Sequence, residues 1–321
     1  LKRISKYKVD KSLLFMMLLF CIISITTIYS AEVLSGDTSF LYIKQFLWYI
    51  AGFIVVIFIM TLGNHVLIKK SFFLYIIGNI FLILLLIFAR PINDAKCWFE
   101  IKGIGTIQPS EFMKIILILY LSKVIDDFHK KYPNPTVKEE FIFLIKIGII
   151  VLIPSLLTFL QPDTGVVLIY LLITIIMLFI AGIRLRWFFI LFGTLFSCIF
   201  LVLIIYFQSQ DLFIKIFGTS FFLRVDRLLD WSNKSGFQLE HGLYSIGSAG
   251  LFGHGFLKTP LYFPEAHTDF IFAVYASNFG LIGSFLLLVL ILCFDLKLIQ
   301  LAFKTKSNIN KYITAGIVGM L

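Results

Sequence analysis

FIFLIKIGIIVLIPSLLTFLQPDTGVVLIYLLITIIMLFIAG, residues 141–182, decides the fold class. Lys146 and Asp163 are its only charged side chains. An apolar run lies on each side of Gln161-Pro162-Asp163, over 141–160 and 164–182. About 20 such residues, rising ~1.5 Å each, cross a hydrocarbon layer of ~30 Å. Two runs of this length joined by three polar residues read as a helical hairpin through a membrane. Lipid offers no partner to backbone N–H and C=O groups, so each run must satisfy its own as a helix.

The same pattern recurs on either side. Candidate spans lie at 12–30, 46–63, 71–89, 111–127, 187–207 and 270–294, and a ninth starts near residue 312. The expected fold is an all-α polytopic membrane protein of about nine transmembrane helices, a single domain over 1–321. Composition agrees, with 60% of residues hydrophobic and 14% charged, against about 25% charged in soluble domains. No water-covered core hides that much apolar surface. The first span follows a basic segment, as a signal peptide would. Its apolar run is too long for one and lacks a small-x-small cleavage site. Cys21, Cys97, Cys198 and Cys293 have neither metal-ligand spacing nor the pattern of a disulfide framework.

The net charge of +10 is unevenly placed. Lys2, Arg3, Lys6, Lys8 and Lys11 precede the first span, and Lys69 and Lys70 follow the second. Lys123, Lys130, Lys131 and Lys138 follow the fourth, Arg184 and Arg186 the sixth, and Lys297, Lys304, Lys306 and Lys311 the eighth. These alternate segments hold the majority of the 28 Lys and Arg residues. Basic loops stay in the cytoplasm, so the N-terminus belongs there too. The opposite, extracytoplasmic face receives 31–45, 90–110, 161–163 and 208–269. The expected location is the bacterial cytoplasmic membrane. The positive charge then reports topology and attraction to membrane lipids, not nucleic acid.

Three polar clusters fall on that face. The longest connection, 208–269, lies between spans seven and eight and ends in GFQLEHGLYSIGSAGLFGHGFLKTPLYFPEAHTDF, residues 236–270. Its glycines at 242, 247, 250, 253 and 255 predict tight turns and close backbone approach in place of a regular helix. Asp269 opens span eight. It reads either as a helix cap or, if Thr268 takes that place, as a carboxylate free for chemistry. Glu265 and His267 lie beside it, and a hydrogen-bonded structural role is the expected one for His267. The second cluster is IQPSEFMK, residues 107–114. Pro109 suits a helix start and Ser110 its cap. Glu111 and Lys114 share a helix face three residues apart, as an internal ion pair or as a functional intramembrane charge. The third is QPDTG, residues 161–165, where Asp163 is either a turn residue or a site residue.

These three stretches, with SIGSAGLFGHG preceding FPEAHTDFIFAVYASNFGLIG, resemble the SEDS family, the FtsW/RodA/SpoVE-like proteins of shape, elongation, division and sporulation. The similarity spans essentially the whole chain. It implies ten transmembrane helices and a peptidoglycan glycosyltransferase that polymerises lipid II with a class B penicillin-binding protein as partner. Asp269, in the His-Thr-Asp-Phe match, takes the place of the family's catalytic aspartate. Glu111, Lys114 and Asp163 match other polar positions of its motifs. The chain departs from the family at Asp94-Ala95-Lys96-Cys97-Trp98, where a glycine and an arginine are replaced. It departs again at Ala249-Gly250-Leu251 and at Ser277-Asn278, which stands where the family has an acidic pair. The sequence stops at Leu321 within the ninth span, so a form truncated before the tenth is expected.

The resembled reaction forms a β-1,4 bond from an α-linked donor, an inversion that calls for a general base, and Asp269 is expected to be that base. Partial burial would strengthen it. Candidates to bind substrate are Lys114, Glu111, Asp163, Gln161, Glu265, His267, Arg224 and Arg227, with Lys96 and Lys102 as further sources of positive charge for the departing pyrophosphate. A divalent cation, Mg or Mn, held by Asp163 or Asp269 is the one cofactor considered. The competing classes are a lipid-linked precursor flippase and a non-catalytic scaffold for a penicillin-binding protein.

Overall fold

The computed structural model describes residues 9–36, 39–89, 96–101, 105–219, 221–223, 225–226 and 237–321. The described chain is dominated by helices: α1 (Lys11–Ser35), α2 (Leu41–Leu62), α3 (Asn64–Lys69), α4 (Ser71–Phe88), α5 (Pro109–Lys131), α6 (Val137–Leu160), α7 (Thr164–Ile180), α8 (Leu185–Gln208), α9 (Gln210–Phe217), α10 (Phe237–Ser248), α11 (Ile271–Lys304) and α12 (Asn308–Met320). Six of them, α1, α2, α4, α6, α8 and α11, are long and apolar enough to cross a membrane. Their surroundings say the same. No residue of α2 is buried, and only Tyr206 of α8 is. Helices this apolar with nothing covering them have lipid as their solvent.

Two features differ from the sequence expectation. Phe99–Ile101 and Gly105–Ile107 form a short antiparallel pair, β1 and β2, with Phe99 opposite Ile107. Three-residue strands are too short for alternation to reveal. The 208–269 connection also contains helices α9 and α10, and α10 takes in Gly242 and Gly247. Gly242 is there for contact. A Cβ on it would sit 3.0 Å from the Phe270 ring, so its bareness lets α10 lie against the start of α11.

The chain divides into two compact units: Leu1–Phe58 with Phe188–Phe294, and Ile59–Trp187 with Asp295–Leu321. In the first, Ala31 of α1 packs with Phe263, Ala266, Ala273 and Val274, flanked by Leu34, Phe270 and Ile271. Asp10 caps α1 by accepting the Ser12 N–H at 2.9 Å.

The second unit is built around α5, whose Leu117, Ile118, Leu121 and Ile125 are essentially inaccessible. Gly316 of α12 lies where a Cβ would come within 2.7 Å of Ile118, so this glycine lets the two backbones approach. Pro154 interrupts α6. It has no N–H for the carbonyl four residues back, that of Ile150. The Tyr75 hydroxyl of α4 donates to that carbonyl at 2.9 Å, satisfying a group that lipid could not. Thr136 and Glu139 form a capping box at the start of α6.

Candidate functional site

In the unit built around α5, the second and third sequence clusters come together. Pro109 occupies the first turn of α5, which places the cap position at Gln108. Ser110, expected as the cap, is therefore inside the helix, buried and with its hydroxyl unpartnered among the described residues. Gln108 does not cap either. Its amide donates to Asp163 Oδ2 at 2.6 Å. Asp163 is the N-cap of α7, its Oδ1 accepting the Val166 N–H at 3.2 Å. One carboxylate thus ties the start of α5 to the start of α7. Burial pushes the Asp163 carboxyl above the ordinary carboxylate range, and the nearby Glu111 charge adds to this. The Val166 N–H, the Gln108 amide and the Lys114 ammonium pull the other way.

Lys114 reaches Glu111 at 2.7 Å, with 10% of the lysine side chain exposed against 50% of the glutamate's. The ion pair read from their spacing is present, and it is lopsided, with a nearly buried cation and a half-solvated anion. Gln161 is fully buried. Its amide donates to the Leu82 carbonyl at 2.9 Å, and its own backbone carbonyl accepts from the Cys97 thiol at 2.9 Å. It braces the α6–α7 link from within and offers no accessible atom to a substrate. Burial pushes the Cys97 thiol up to about 11, so it stays protonated and inert near neutral pH. The Lys96 ammonium donates to the Leu86 carbonyl at 3.4 Å. Arg224, Arg227 and Lys102 lie outside the described residues.

The first cluster belongs to the other unit. Residues 264–270 make consecutive turns that lead into α11. Phe263 and Ala266 anchor this stretch in the core beside Ala31 and Val274. Asp269 stands on it, exposed, and makes no hydrogen bond or ion pair among the described residues. The expected partial burial is absent, because the turn directs its apolar residues inward and leaves Asp269 on the surface. Neither cap reading holds. The Thr268 hydroxyl donates to Glu265 Oε2 at 2.9 Å and is spent within the turn. His267 is half-buried and has no hydrogen-bond partner among the described residues, in contrast to the structural role expected of it.

Span eight is not one continuous helix. At Gly280 the backbone turns to φ 66, ψ −162, and α11 breaks. The glycine-rich segment before the Asp269 turn fills the break. His254 and Gly255 N–H groups donate to the Ser277 and Asn278 carbonyls at 2.8 and 3.2 Å. Leu281 and Ile282 N–H groups donate to the Gly250 and Leu251 carbonyls at 3.0 and 3.1 Å. Gly253 and Gly280 meet backbone to backbone: a Cβ on Gly280 would lie 2.3 Å from Gly253 N, and one on Gly253 would lie 2.7 Å from Gly280 N and 2.3 Å from the Asn278 carbonyl oxygen. The close approach expected of these glycines is made to the chain's own helix. Asn278, where the resembled family is acidic, is buried and neutral, donating to Ser30 Oγ at 2.7 Å and accepting from Thr259 at 3.3 Å.

Asp163 has committed both oxygens, and no group of three His, Cys, Asp or Glu side chains converges among the described residues. This donor set does not fit a cage for a divalent cation, and a lysine beside it opposes one. Sequence reasoning passed over Gln108 and Ser30. Gln108 was visible as the polar residue immediately before the helix-starting Pro109. Ser30, deep in an apolar run, gave no signal.

The sequence pattern of the FtsW/RodA/SpoVE cell cycle proteins matches residues 9–321, and the chain belongs to that family. It is 32% identical over 296 residues to the probable peptidoglycan glycosyltransferase FtsW of Wigglesworthia glossinidia brevipalpis, covering 88% of this chain and 72% of that protein. It is 30% identical over 339 residues to the probable peptidoglycan glycosyltransferase FtsW of Bacillus subtilis, covering 97% and 79%. Stage V sporulation protein E of the same organism is 29% identical over 336 residues, covering 97% and 84%. The fold matches the crystal structure of the Thermus thermophilus rod shape determining protein RodA, with a TM-score of 0.66, 23% identity and coverage of 97% and 81%. A chain of a peptidoglycan synthase complex superposes with a TM-score of 0.75 at 21% identity, covering 97% and 83%.

Proposed function

We propose that this FtsW/RodA/SpoVE family member is a peptidoglycan glycosyltransferase that joins lipid II units at the outer face of the bacterial cytoplasmic membrane, with Asp269 as general base. The glycosyltransferase class rests on the relatives' names. The observation that carries the assignment of the base is the Asp269 carboxylate itself. It is exposed and, among the described residues, unpartnered, yet stands on a turn anchored by the buried Phe263 and Ala266.

In the proposed step the acceptor 4-hydroxyl oxygen attacks the anomeric carbon of the α-linked donor. The bond from that carbon to the pyrophosphate oxygen breaks, and the pyrophosphate leaves as an anion. Asp269 takes the hydroxyl proton and later yields it to water. The new bond is β-1,4 because a single displacement inverts the centre. Because Asp269 is exposed in the free protein, removal of water from its carboxylate falls to the bound substrate. A positioned general base contributes about 10²–10⁴-fold. The leaving group needs no acid but gains from nearby positive charge. Arg224 and Arg227, which precede Asp269 in the same connection, are assigned that role. No step is routed through a metal. A class B penicillin-binding protein is the proposed partner.

The test is polymerisation of labelled lipid II by the purified full chain, with and without a class B penicillin-binding protein. Glycan strands are expected from the wild type. Asp269→Asn is expected to lose at least about 100-fold in rate while inserting and melting like the wild type. Activity of Asp269→Asn within a few-fold of wild type removes Asp269 as base. Lipid transfer across sealed vesicles without glycan would instead identify a flippase, and neither activity would leave a scaffold.

A further inference from the structure

The end of α5 away from Pro109 carries a second polar site that the glycosyltransferase reading does not use. Here α5, the α5–α6 link, the start of α6 and the α7–α8 link surround a cavity of about 400 Å³, lined among others by His129, Asn134, Pro135, Glu140 and Arg184. Glu140 lines it with only 3% of its side chain exposed. Its oxygens are fully engaged. Arg184 Nε lies 3.4 Å from Oε1, Arg186 Nη2 lies 3.7 Å from Oε2, and the Trp187 indole N–H donates to Oε2 at 2.9 Å. Arg184 Nη2 also donates to the Pro135 carbonyl at 2.7 Å.

One buried carboxylate is therefore faced by two guanidiniums. Its charge is more than cancelled, and the surplus is positive. Arg184 is held at two of its nitrogens, while Nη1 has no partner among the described residues. A guanidinium fixed in this way is preorganised for an anion, since it has little freedom left to lose. The His129 ring points Nδ1 at the Ile125 carbonyl, 3.0 Å away, leaving Nε2 to face other partners. Trp187 stacks on Phe141, an arrangement suited to the level where hydrocarbon meets headgroups. Lys131 and Lys138 stand exposed on the same end of the unit. Basic pockets between membrane helices at this level are suited to lipid phosphates.

We propose that this cavity binds the phosphate of an anionic lipid headgroup, with Arg184 as the principal contact and Glu140 as the residue that positions it. The shared chemistry is a phosphate ester, and a soluble phosphate would meet the same groups.

The experiment titrates short-chain phosphatidylglycerol, short-chain phosphatidylcholine and inorganic phosphate separately into the full chain in neutral detergent, with binding read by calorimetry. Phosphatidylglycerol is expected to bind at least about fivefold tighter than phosphatidylcholine. Arg184→Ala alone would strand the buried Glu140, so the charge variant removes both partners, Arg184→Gln with Glu140→Gln. It should lose the preference for phosphatidylglycerol while melting within a few degrees of wild type. Asn134→Trp keeps every charge and fills the cavity, and it should weaken phosphatidylglycerol but not phosphatidylcholine. Inorganic phosphate that binds with the same dependence on the charge pair supports the phosphate site and names a soluble ligand as its source. Equal binding of the two lipids, or a preference that survives in the double variant, overturns the proposal.

Discussion

Gly280→Ala should destabilise the protein more than any other single methyl group added to a helix of this chain. The position combines two costs. Its φ of 66 with ψ of −162 lies in a region that residues with a Cβ scarcely visit, at a strain of about 1–3 kcal/mol. The added Cβ would also stand 2.3 Å from Gly253 N and 2.5 Å from Leu251 O, both backbone atoms that cannot swing aside. Relieving that overlap moves the Gly250–Gly255 segment off the break, at about 1–3 kcal/mol for a packed site. Together the two come to about 2–6 kcal/mol, a large share of the ~5–15 kcal/mol that holds a typical protein folded. Gly193→Ala in α8 is the matched control, since nothing lies within 4 Å of its Cβ position. It should be neutral or gain up to about 1 kcal/mol from helix propensity. Melting of the two variants by temperature-dependent size exclusion should separate them by at least about 5 °C. A Gly280→Ala protein that melts with Gly193→Ala would refute the clasped break. The clasped segment runs directly into the Asp269 turn, so glycan synthesis by Gly280→Ala should fall as well.

Three further outcomes follow from the other unit. Glu111→Gln strands the nearly buried Lys114 ammonium and should cost on the order of 2–3 kcal/mol, whereas Lys114→Met leaves a half-exposed carboxylate in water and should cost under about 1 kcal/mol. Thermal melts in detergent that reverse this order would point to another partner for Lys114. Tyr75→Phe leaves the Ile150 carbonyl opposite Pro154 without a donor, at about 1–3 kcal/mol, and the loss should vanish in a Pro154→Ala background, which restores the helical N–H. For Asp163, a carboxyl raised by burial binds its proton more tightly folded than unfolded. Its contribution therefore grows as pH falls through the raised value, levels off below the ordinary value of 3.8, and is lost as pH rises. Asp163→Asn should flatten that part of the melting-temperature profile, and an unchanged slope would refute the assignment.

The spans were legible because bilayer thickness fixes a length and lipid fixes a composition, and both can be counted in one dimension. The pairing of Glu111 with Lys114 was legible for the same reason, since a helix of known pitch turns a spacing of three into a contact. What stayed hidden depends on distant parts of the chain. Nothing local to Gln108 shows that its amide will meet Asp163, 55 residues away. The break at Gly280 was concealed because 270–294 carries no charged residue and reads as one hydrophobic span, and hydropathy does not register a backbone turned to positive φ. Glycines misled in α10 because the rule ties them to turns, while Gly242 serves a ring pressed against a helix.

Set side by side, the polar groups explain why Asp269 is the carboxylate to single out. A membrane protein must spend its internal donors and acceptors wherever a helix is interrupted. This one does so consistently: Tyr75 answers Pro154, His254 and Gly255 answer the break at Gly280, and Gln161 closes the α6–α7 link onto α4. The same economy has consumed Asp163, whose oxygens hold two helix starts together, and Glu111, which neutralises Lys114. A carboxylate whose oxygens tie two helix starts together is not free to turn toward a substrate hydroxyl. Asp269 has no such tie among the described residues, and the turn beneath it is anchored by the buried Phe263 and Ala266. Of the four carboxylates that the sequence singled out, Asp269, Glu111, Asp163 and Glu265, Asp269 alone is exposed and without a partner among the described residues, and so free to meet a substrate hydroxyl.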